Sequence, residues 1–257
     1  MIDLRWQVRT GDAVDELPKL GAGAVDCIVT SPPYFGLRSY GVAPTDWPEV
    51  IFRPMPGLPA VVVPSERVCL GLEVDLWAYV GHLVHVFREL RRVLAERGTC
   101  WLNLGDTYVA GRSGGIGSSS TTSQRNQTAA REAWLATGGR AHRSADGLKP
   151  KDLMGVPWRA AFALQADGWY LRRDIVWRNP CPQPESVRDR PTREHEMIFL
   201  LSRARSYSYD AAAISEPVTN DKHQRRERER RKGGKVRVYE RRNKRSVWTV
   251  AHERKPG

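Results

Sequence analysis

The chain has 257 residues, 40% of them hydrophobic, with 41 Lys or Arg against 29 Asp or Glu for a formal charge of +12. That length and composition suffice for one large domain or two small ones, and exclude a chain too polar to bury a core. No uninterrupted apolar run approaches bilayer length, and Met1 to Arg5 does not lead a basic segment into an apolar one as a secretory leader does, so a cytoplasmic location is expected.

Leu4 to Val8 alternates like a short strand that ends at Gly11-Asp12, and Ala13 to Leu20 reads as a short helix or turn. The apolar run Ala24 to Val29 reads as a buried strand. Phe35 to Pro64 is rich in Pro, Gly and Trp and is expected to be a long loop with short elements; loops of that length in a compact domain are usually functional. Leu76, Tyr79, Val80, Leu83, Val84, Phe87, Leu90, Val93 and Leu94 recur at helical spacing. They predict a helix over Asp75 to Glu96, stopped by Gly98, with Arg88, Arg91 and Arg92 solvated. Thr99 to Leu104 is the next strand.

Ala110 to Lys149 changes character. Gly, Ser and Thr dominate its first half, which predicts disorder there, with a candidate short helix over Ala129 to Ala136. Its glycines, Gly111, Gly114, Gly115 and Gly117, precede no helix opening on Lys-Ser or Lys-Thr, which argues against a nucleoside-triphosphate loop. Leu153 to Ala166 is a second helix, with Pro157 near its start where proline is tolerated. Asp167-Gly168 ends it, and Trp169 to Trp177 and Met197 to Leu201 read as strands joined by a polar loop. The chain therefore divides into residues 1–109 and 151–205, two parts of one α/β body, a flexible insertion over 110–150, and a basic segment over 206–257.

Four cysteines are scattered without metal-type pairing, and Cys27 and Cys100, inside apolar strand runs, are expected to be buried free thiols. No metal site is expected, and a lone His195 beside Glu196 reads as structural. The charge is uneven: Asp221 to Gly257 carries fifteen Lys or Arg against five Asp or Glu, a balance of +10, which leaves +2 for the rest. A basic block on a near-neutral body favours a polyanionic partner, nucleic acid above all, although such blocks are also common as solvated tails.

Ser31-Pro32-Pro33-Tyr34 is the most informative stretch. Taken alone it would fit a proline-rich turn. Placed at the carboxyl end of an apolar strand, its two prolines fix φ and remove two backbone donors, so nearby carbonyls stay free to accept. The serine hydroxyl can bond an exocyclic amine, and the tyrosine offers a face on which a flipped base can stack.

The surrounding text resembles the permuted, beta-class DNA amino-methyltransferases, in particular those that modify the exocyclic nitrogen of cytosine. The blocks are Gly11-Asp12, Thr30 to Gly41 (TSPPYFGLRSYG), Leu70 to Tyr108 and Leu153 to Arg203, in the family's order across almost the whole chain. The resemblance implies a Rossmann-like α/β sheet of S-adenosylmethionine-dependent methyltransferases with an antiparallel edge hairpin. It implies double-stranded DNA as partner, in restriction-modification or phage and host DNA modification. It implies a catalytic set of Ser31, Pro32, Pro33 and Tyr34: the Ser31 hydroxyl and Pro32 carbonyl accept the two amine protons, and Tyr34 stacks on the extruded base. Asp12, Thr30, Ser31 and Pro32 are the implied cofactor contacts, Asp12 at the adenosine, with an N-cap as its alternative role. Serine where relatives often carry aspartate points to cytosine, with adenine N6 as the alternative.

Arg188 and Arg190 in the polar loop are candidate DNA contacts or members of an internal ion-pair cluster, and Asp106 either lines the base pocket or caps a loop. In the basic segment the candidate DNA contacts are Arg225, Arg226, Lys235, Arg237, Arg241 and Arg242. Family members continue past a segment like Ser246-Val247-Trp248 into the blocks that hold the methionine part of the cofactor, and this sequence shows none. Weak or no cofactor binding by the chain alone is therefore expected, with a second polypeptide supplying that half, or a silent DNA-binding remnant, as the alternatives.

Overall fold

A computed structural model of the chain describes residues 7–36, 39–109, 147–182, 184–218 and 240–250. The carboxylate of Asp12 accepts from the Val14 amide at 3.0 Å and caps α1 (Ala13–Glu16), which runs into a 3-10 turn at Leu17–Lys19. β1 (Val25–Thr30) follows. Of the strand expected over Leu4 to Val8, Gln7 and Val8 are in no strand and the rest lies outside the described residues.

The Pro-rich stretch does carry short elements, and they join into one ordered hairpin. β2 (Thr45–Trp47) and β3 (Val50–Phe52) pair antiparallel with β5 (Glu66–Val68) and β4 (Val61–Val63) respectively. The register is the same in both ladders: Thr45 faces Val68, Trp47 faces Glu66, Val50 faces Val63 and Phe52 faces Val61. The four strands are thus one hairpin, interrupted where Pro48 and Pro64 have no N–H to give the ladder.

That hairpin lies on α2 (Leu76–Val93), whose start is capped by Asp75 accepting from the Trp77 and Ala78 amides. A Cβ at Gly81 would come within 2.9 Å of Val63 Cγ2, so glycine sets the close approach of hairpin and helix. The helix stops three residues before Glu96, and β6 (Leu94–Leu104) begins at once. Leu94 is buried and its backbone pairs with Val25, so the sheet ladder takes over from the helix there. Gly98 therefore sits inside a strand and ends nothing.

The α2 arginines are not simply solvated, as their pattern suggested. The Arg88 guanidinium forks onto the Asp167 carboxylate and donates to the Ile51 carbonyl, tying the helix to the hairpin and to the next helix. Arg92 donates to Glu89 and to the carbonyls of Leu17 and Leu20. The Arg91 guanidinium packs close to Gly168.

After β6 the chain forms a short stem. Val109 N–H donates to Asp152 O (2.9 Å), Lys151 N–H to Val109 O (3.0 Å) and Met154 N–H to Thr107 O (2.9 Å). Most of the expected insertion, with its candidate helix over Ala129 to Ala136, lies outside the described residues. Beyond the stem come α3 (Val156–Ala166), β7 (Tyr170–Arg178), β8 (His195–Ser202), the small antiparallel pair β9 (Glu216–Pro217) and β10 (Arg241–Arg242), and β11 (Val247–Thr249).

The five-stranded sheet runs β1-β6-β8-β7-β11. β1 is parallel to β6, β8 is antiparallel to both its neighbours, and β11 is parallel to β7. Cys100, Leu102 and Leu104 of β6 and Phe199 and Leu201 of β8 are fully buried in one cluster with Val80, Leu83 and Phe87 of α2 and Ala160, Ala163 and Leu164 of α3. Each such Leu or Phe contributes about 1.5–3 kcal/mol relative to exposure.

β1 pairs only with β6 among the described residues, and Cys27 and Val29 are exposed, Val29 by 80%. Cys27 thus departs from the burial that its apolar neighbours suggested: alternation turns it away from the helices, and β1 stands at the sheet's rim. Cys100 is buried, and all four cysteines are free. Among the described residues no helix is long and apolar enough to cross a membrane.

Candidate active site

Ser31-Pro32-Pro33-Tyr34 leaves the carboxyl end of β1, beside the end of β6 and the start of β8. Crevices at the carboxyl ends of strands are where open α/β sheets bind ligands. Two supports hold the loop from behind. Tyr79 of α2 donates its hydroxyl to the Pro33 carbonyl at 2.9 Å. Gly71, at φ +91°, lies so close that a Cβ there would stand 2.8 Å from the Tyr34 carbonyl, and its own carbonyl accepts from the Gly36 amide at 2.8 Å.

Gly71 is held in turn by Glu73. The Gly71 amide donates to one Glu73 carboxylate oxygen at 2.7 Å, and the other meets His82 Nδ1 at 2.9 Å. Glu73 and His82 are both fully buried, and Trp47 stacks on the imidazole with ring centres 4.2 Å apart. Burial raises the Glu73 carboxyl above its usual range, and the hydrogen bond from His82 opposes that rise.

The front of the loop is a cluster of oxygens. The Tyr34 hydroxyl lies 2.7 Å from Glu196 Oε2 and 2.7 Å from Asn103 Oδ1. The Ser31 hydroxyl lies 3.2 Å from the Tyr34 oxygen and 3.3 Å from Asn103 Oδ1. Asn103 Nδ2 donates to the Met197 carbonyl at 3.2 Å, which turns Oδ1 toward the two hydroxyls. The Tyr34 ring is set against Gly105, where a Cβ would fall 2.6 Å from Cε2. Burial, reinforced by the Glu196 carboxylate, pushes the phenol far above its ordinary range, so Tyr34 acts as a protonated donor.

Sequence reasoning named Ser31 and Tyr34 but missed Asn103 and Glu196 as their partners. Asn103 was visible as the one polar side chain between Trp101 and Leu104, and Glu196 stood beside His195 at the head of a strand run.

A cavity of about 240 Å³ opens between the end of β1, the hairpin and α2. Asp12, Thr30 and Pro32, three of the four expected cofactor contacts, line it together with Pro33, and Ser31 faces the Tyr34 cluster instead. Asp12 does two jobs, capping α1 through Oδ1 and accepting the Thr45 hydroxyl through Oδ2. Leu72, Leu83 and Phe87 give apolar walls suited to a flat heteroaromatic ring, and Asp12 suits hydroxyls or an ammonium. The described lining includes no Lys or Arg to meet a carboxylate. The chemistry of this lining thus fits the adenosine end of S-adenosylmethionine.

Asp106 is a cap: its carboxylate accepts from the Thr107 amide and from the Val156 amide that opens α3, and burial raises its pKa. The polar loop before β8 closes on itself. Arg190 pairs with Glu185 at 2.8 Å and stands 4.0 Å above the Tyr108 ring, while Arg193 donates to the Asp106 carbonyl. Arg188 is exposed. Arg241 holds the Ser215 hydroxyl, and Arg242 and Arg245 converge on Glu216. Arg225, Arg226, Lys235 and Arg237 lie outside the described residues. Among the described residues no three His, Cys, Asp or Glu gather as metal ligands, and His195 is exposed.

The sequence pattern of the DNA methylase family, the N6/N4 methyltransferases, matches residues 25–256. The type II methyltransferase M.SmaI of Serratia marcescens is 39% identical over 251 residues, 98% of this chain and 68% of that protein. The type II methyltransferase M.XycI of Xanthomonas campestris pv. cyanopsidis is 41% identical over 240 residues, 93% of this chain and 62% of that protein. The chain thus spans roughly two thirds of the length of these relatives. Among solved structures, the PvuII DNA methyltransferase (cytosine-N4-specific) superposes with a TM-score of 0.49 at 11% identity, over 96% of this chain and 57% of that one.

Proposed function

The chain belongs to the DNA methylase family, and from that premise we propose that it is an S-adenosylmethionine-dependent methyltransferase acting on the exocyclic N4 amine of cytosine in a short duplex DNA site. The observation that carries this reading is the acceptor-rich cluster of Ser31, Tyr34, Asn103 and Glu196 at the carboxyl end of β1.

An exocyclic amine is a poor nucleophile because its lone pair is delocalised into the ring. Acceptors on both N–H bonds make the nitrogen more tetrahedral and aim the lone pair. In this reading Ser31 and the Pro32 carbonyl accept those protons and Tyr34 stacks on the extruded base, so the rate comes from alignment and fixed dipoles. S-adenosylmethionine, when bound, supplies an activated sulfonium methyl. Asp12, Thr30 and Pro32 would hold its adenosine end in the cavity beside the loop. The serine at position 31 supports cytosine over adenine, and the arginines of the basic segment and Arg188 supply the phosphate contacts.

Among the described residues the far rim of β1 has no partner strand, with Val29 80% exposed, which favours one further element in this reading: polypeptide beyond the described residues, in cis or as a second chain, completes the cofactor site along that rim.

The test is methyl transfer from labelled S-adenosylmethionine to mixed-sequence duplex DNA, followed by nucleoside analysis, with Ser31→Ala and Tyr34→Ala as controls. N4-methylcytosine that vanishes in both variants, while salt-sensitive DNA binding persists, is the expected result. N6-methyladenine would overturn the choice of base. DNA binding without transfer, even after the part of a relative that this chain does not span is added, would leave a DNA-binding module.

A further inference from the structure

We propose that Glu196 sets the hydrogen-bond polarity of Ser31, so that the serine turns its lone pairs outward and selects an amine, rather than a keto oxygen, on the base it meets. The identity of that outer partner rests on the methyl-transfer reading; the polarity of the network does not.

A hydroxyl is ambivalent: it carries one proton and two lone pairs, and its surroundings decide which of them faces a ligand. Here the surroundings are one-sided. As a carboxylate, Glu196 can only accept. It lies 2.7 Å from the Tyr34 oxygen, as does Asn103 Oδ1, and the two compete for a single phenolic proton. Hydrogen bonds to a charged acceptor are roughly twice as strong as neutral ones, so the phenolic proton is shared between the two and leans to Glu196. The Tyr34 oxygen and Asn103 Oδ1 are then both acceptors toward Ser31, at 3.2 and 3.3 Å. Asn103 cannot reverse its amide without breaking the bond from Nδ2 to the Met197 carbonyl.

Ser31's proton is therefore drawn inward between two acceptors, and what remains on its outer side is lone-pair density. An amino group on a base finds a partner there. The keto oxygen of thymine or guanine finds another acceptor, and a site whose polar groups are left unpaired rejects its ligand strongly. Glu196 acts through Tyr34 and touches no substrate; it is a positioning residue whose charge orders the chain.

Glu196→Gln tests this, because a glutamine keeps the shape, loses the charge and can donate its amide to the Tyr34 oxygen, letting the chain run backwards. Two measurements on the full-length protein decide it. The first is the Tyr34 Cζ resonance in protein labelled at tyrosine Cζ, assigned with Tyr34→Phe and followed against pH. Glu196→Gln is expected to move it upfield and to let Tyr34 ionise at lower pH, with Glu196→Asp staying close to wild type. The second is single-turnover methyl transfer, expected to fall roughly 10²-fold in Glu196→Gln with DNA affinity unchanged and to recover in part in Glu196→Asp. An unchanged Cζ signal in Glu196→Gln, or a full transfer rate in that variant, overturns the proposal. If the wild-type protein transfers no methyl to any DNA, the catalytic reading falls, and the resonance comparison still accepts or rejects the network.

Discussion

Gly105→Ala should cost far more than its size suggests, and the cost should belong to Tyr34. An added Cβ would stand 2.6 Å from Tyr34 Cε2 and 2.7 Å from Cδ2. Carbon atoms prefer separations of about 3.5–4.0 Å, so the ring must retreat by about 1 Å. It cannot do so and keep its phenol within 2.7 Å of both Asn103 and Glu196. Overpacking of this kind costs about 1–3 kcal/mol, and a lost hydrogen bond to a charged group about 1.5–3. The cluster is only part-buried, so we expect about 2–4 kcal/mol in total. The assay is urea denaturation at constant m-value in a double-mutant cycle with Tyr34→Ala. Once the ring is gone, Gly105→Ala should fall to within about 0.5 kcal/mol of neutral, or stabilise slightly through the lower entropy of the unfolded chain. An equal cost in both backgrounds would refute the reasoning, because the strain would then lie in the backbone and not against the ring.

Glu73→Ala should destabilise by about 3 kcal/mol, since it leaves the Gly71 amide and a buried imidazole without their partner, whereas Glu73→Gln should stay within about 1 kcal/mol of wild type; chemical denaturation separates them. Burial raises the Glu73 carboxyl, so the folded state keeps that proton at pH values where the unfolded chain has lost it. Its contribution is full below the ordinary glutamate range and declines as pH rises through the raised value, and Glu73→Gln should remove that slope from a stability profile between acid and neutral pH. At mildly alkaline pH, alkylation followed by peptide mapping should label exposed Cys27 and Cys181 and spare Cys100, which is buried with its thiol pushed up to about 12, until the protein unfolds.

The helix over Leu76 to Val93 was legible because its buried positions recur every three or four residues, and Asp75 marks its start. Its end was not. Leu94 continues the helical pattern, yet its backbone pairs with Val25, a contact between residues far apart in sequence that no local signal reports. The hairpin over Thr45 to Val68 was hidden by Pro48 and Pro64, which locally read as breakers and in the fold merely interrupt one continuous register. At the site, Ser31 and Tyr34 could be read because proline and an apolar strand frame them. Their partners come from β6 and β8, and only the register of those two strands, with Asn103 opposite Ile198 and Leu104 opposite Met197, brings Asn103 and Glu196 to the same end of the sheet. The arginines of α2 were misjudged because a charged face looks the same in sequence whether it meets water, the Asp167 carboxylate or backbone carbonyls.

The stem formed by Thr107 to Val109 and Lys151 to Met154 has a consequence for how this chain can change. Its backbone bonds close the flanks at Val109 and Lys151 on each other, so β6 and α3 are joined through the stem. Closure free energy varies only with the logarithm of loop length, and halving or doubling the intervening residues shifts it by only about 0.6 kcal/mol. For a flexible connection between Val109 and Lys151, a change of length is therefore cheap in closure entropy, and the stem is what fixes the spacing of β6 and α3. The same stem sets Tyr108 beneath the Arg190 guanidinium, so a change that loosened it would be felt in the polar loop before β8 as well as in the sheet.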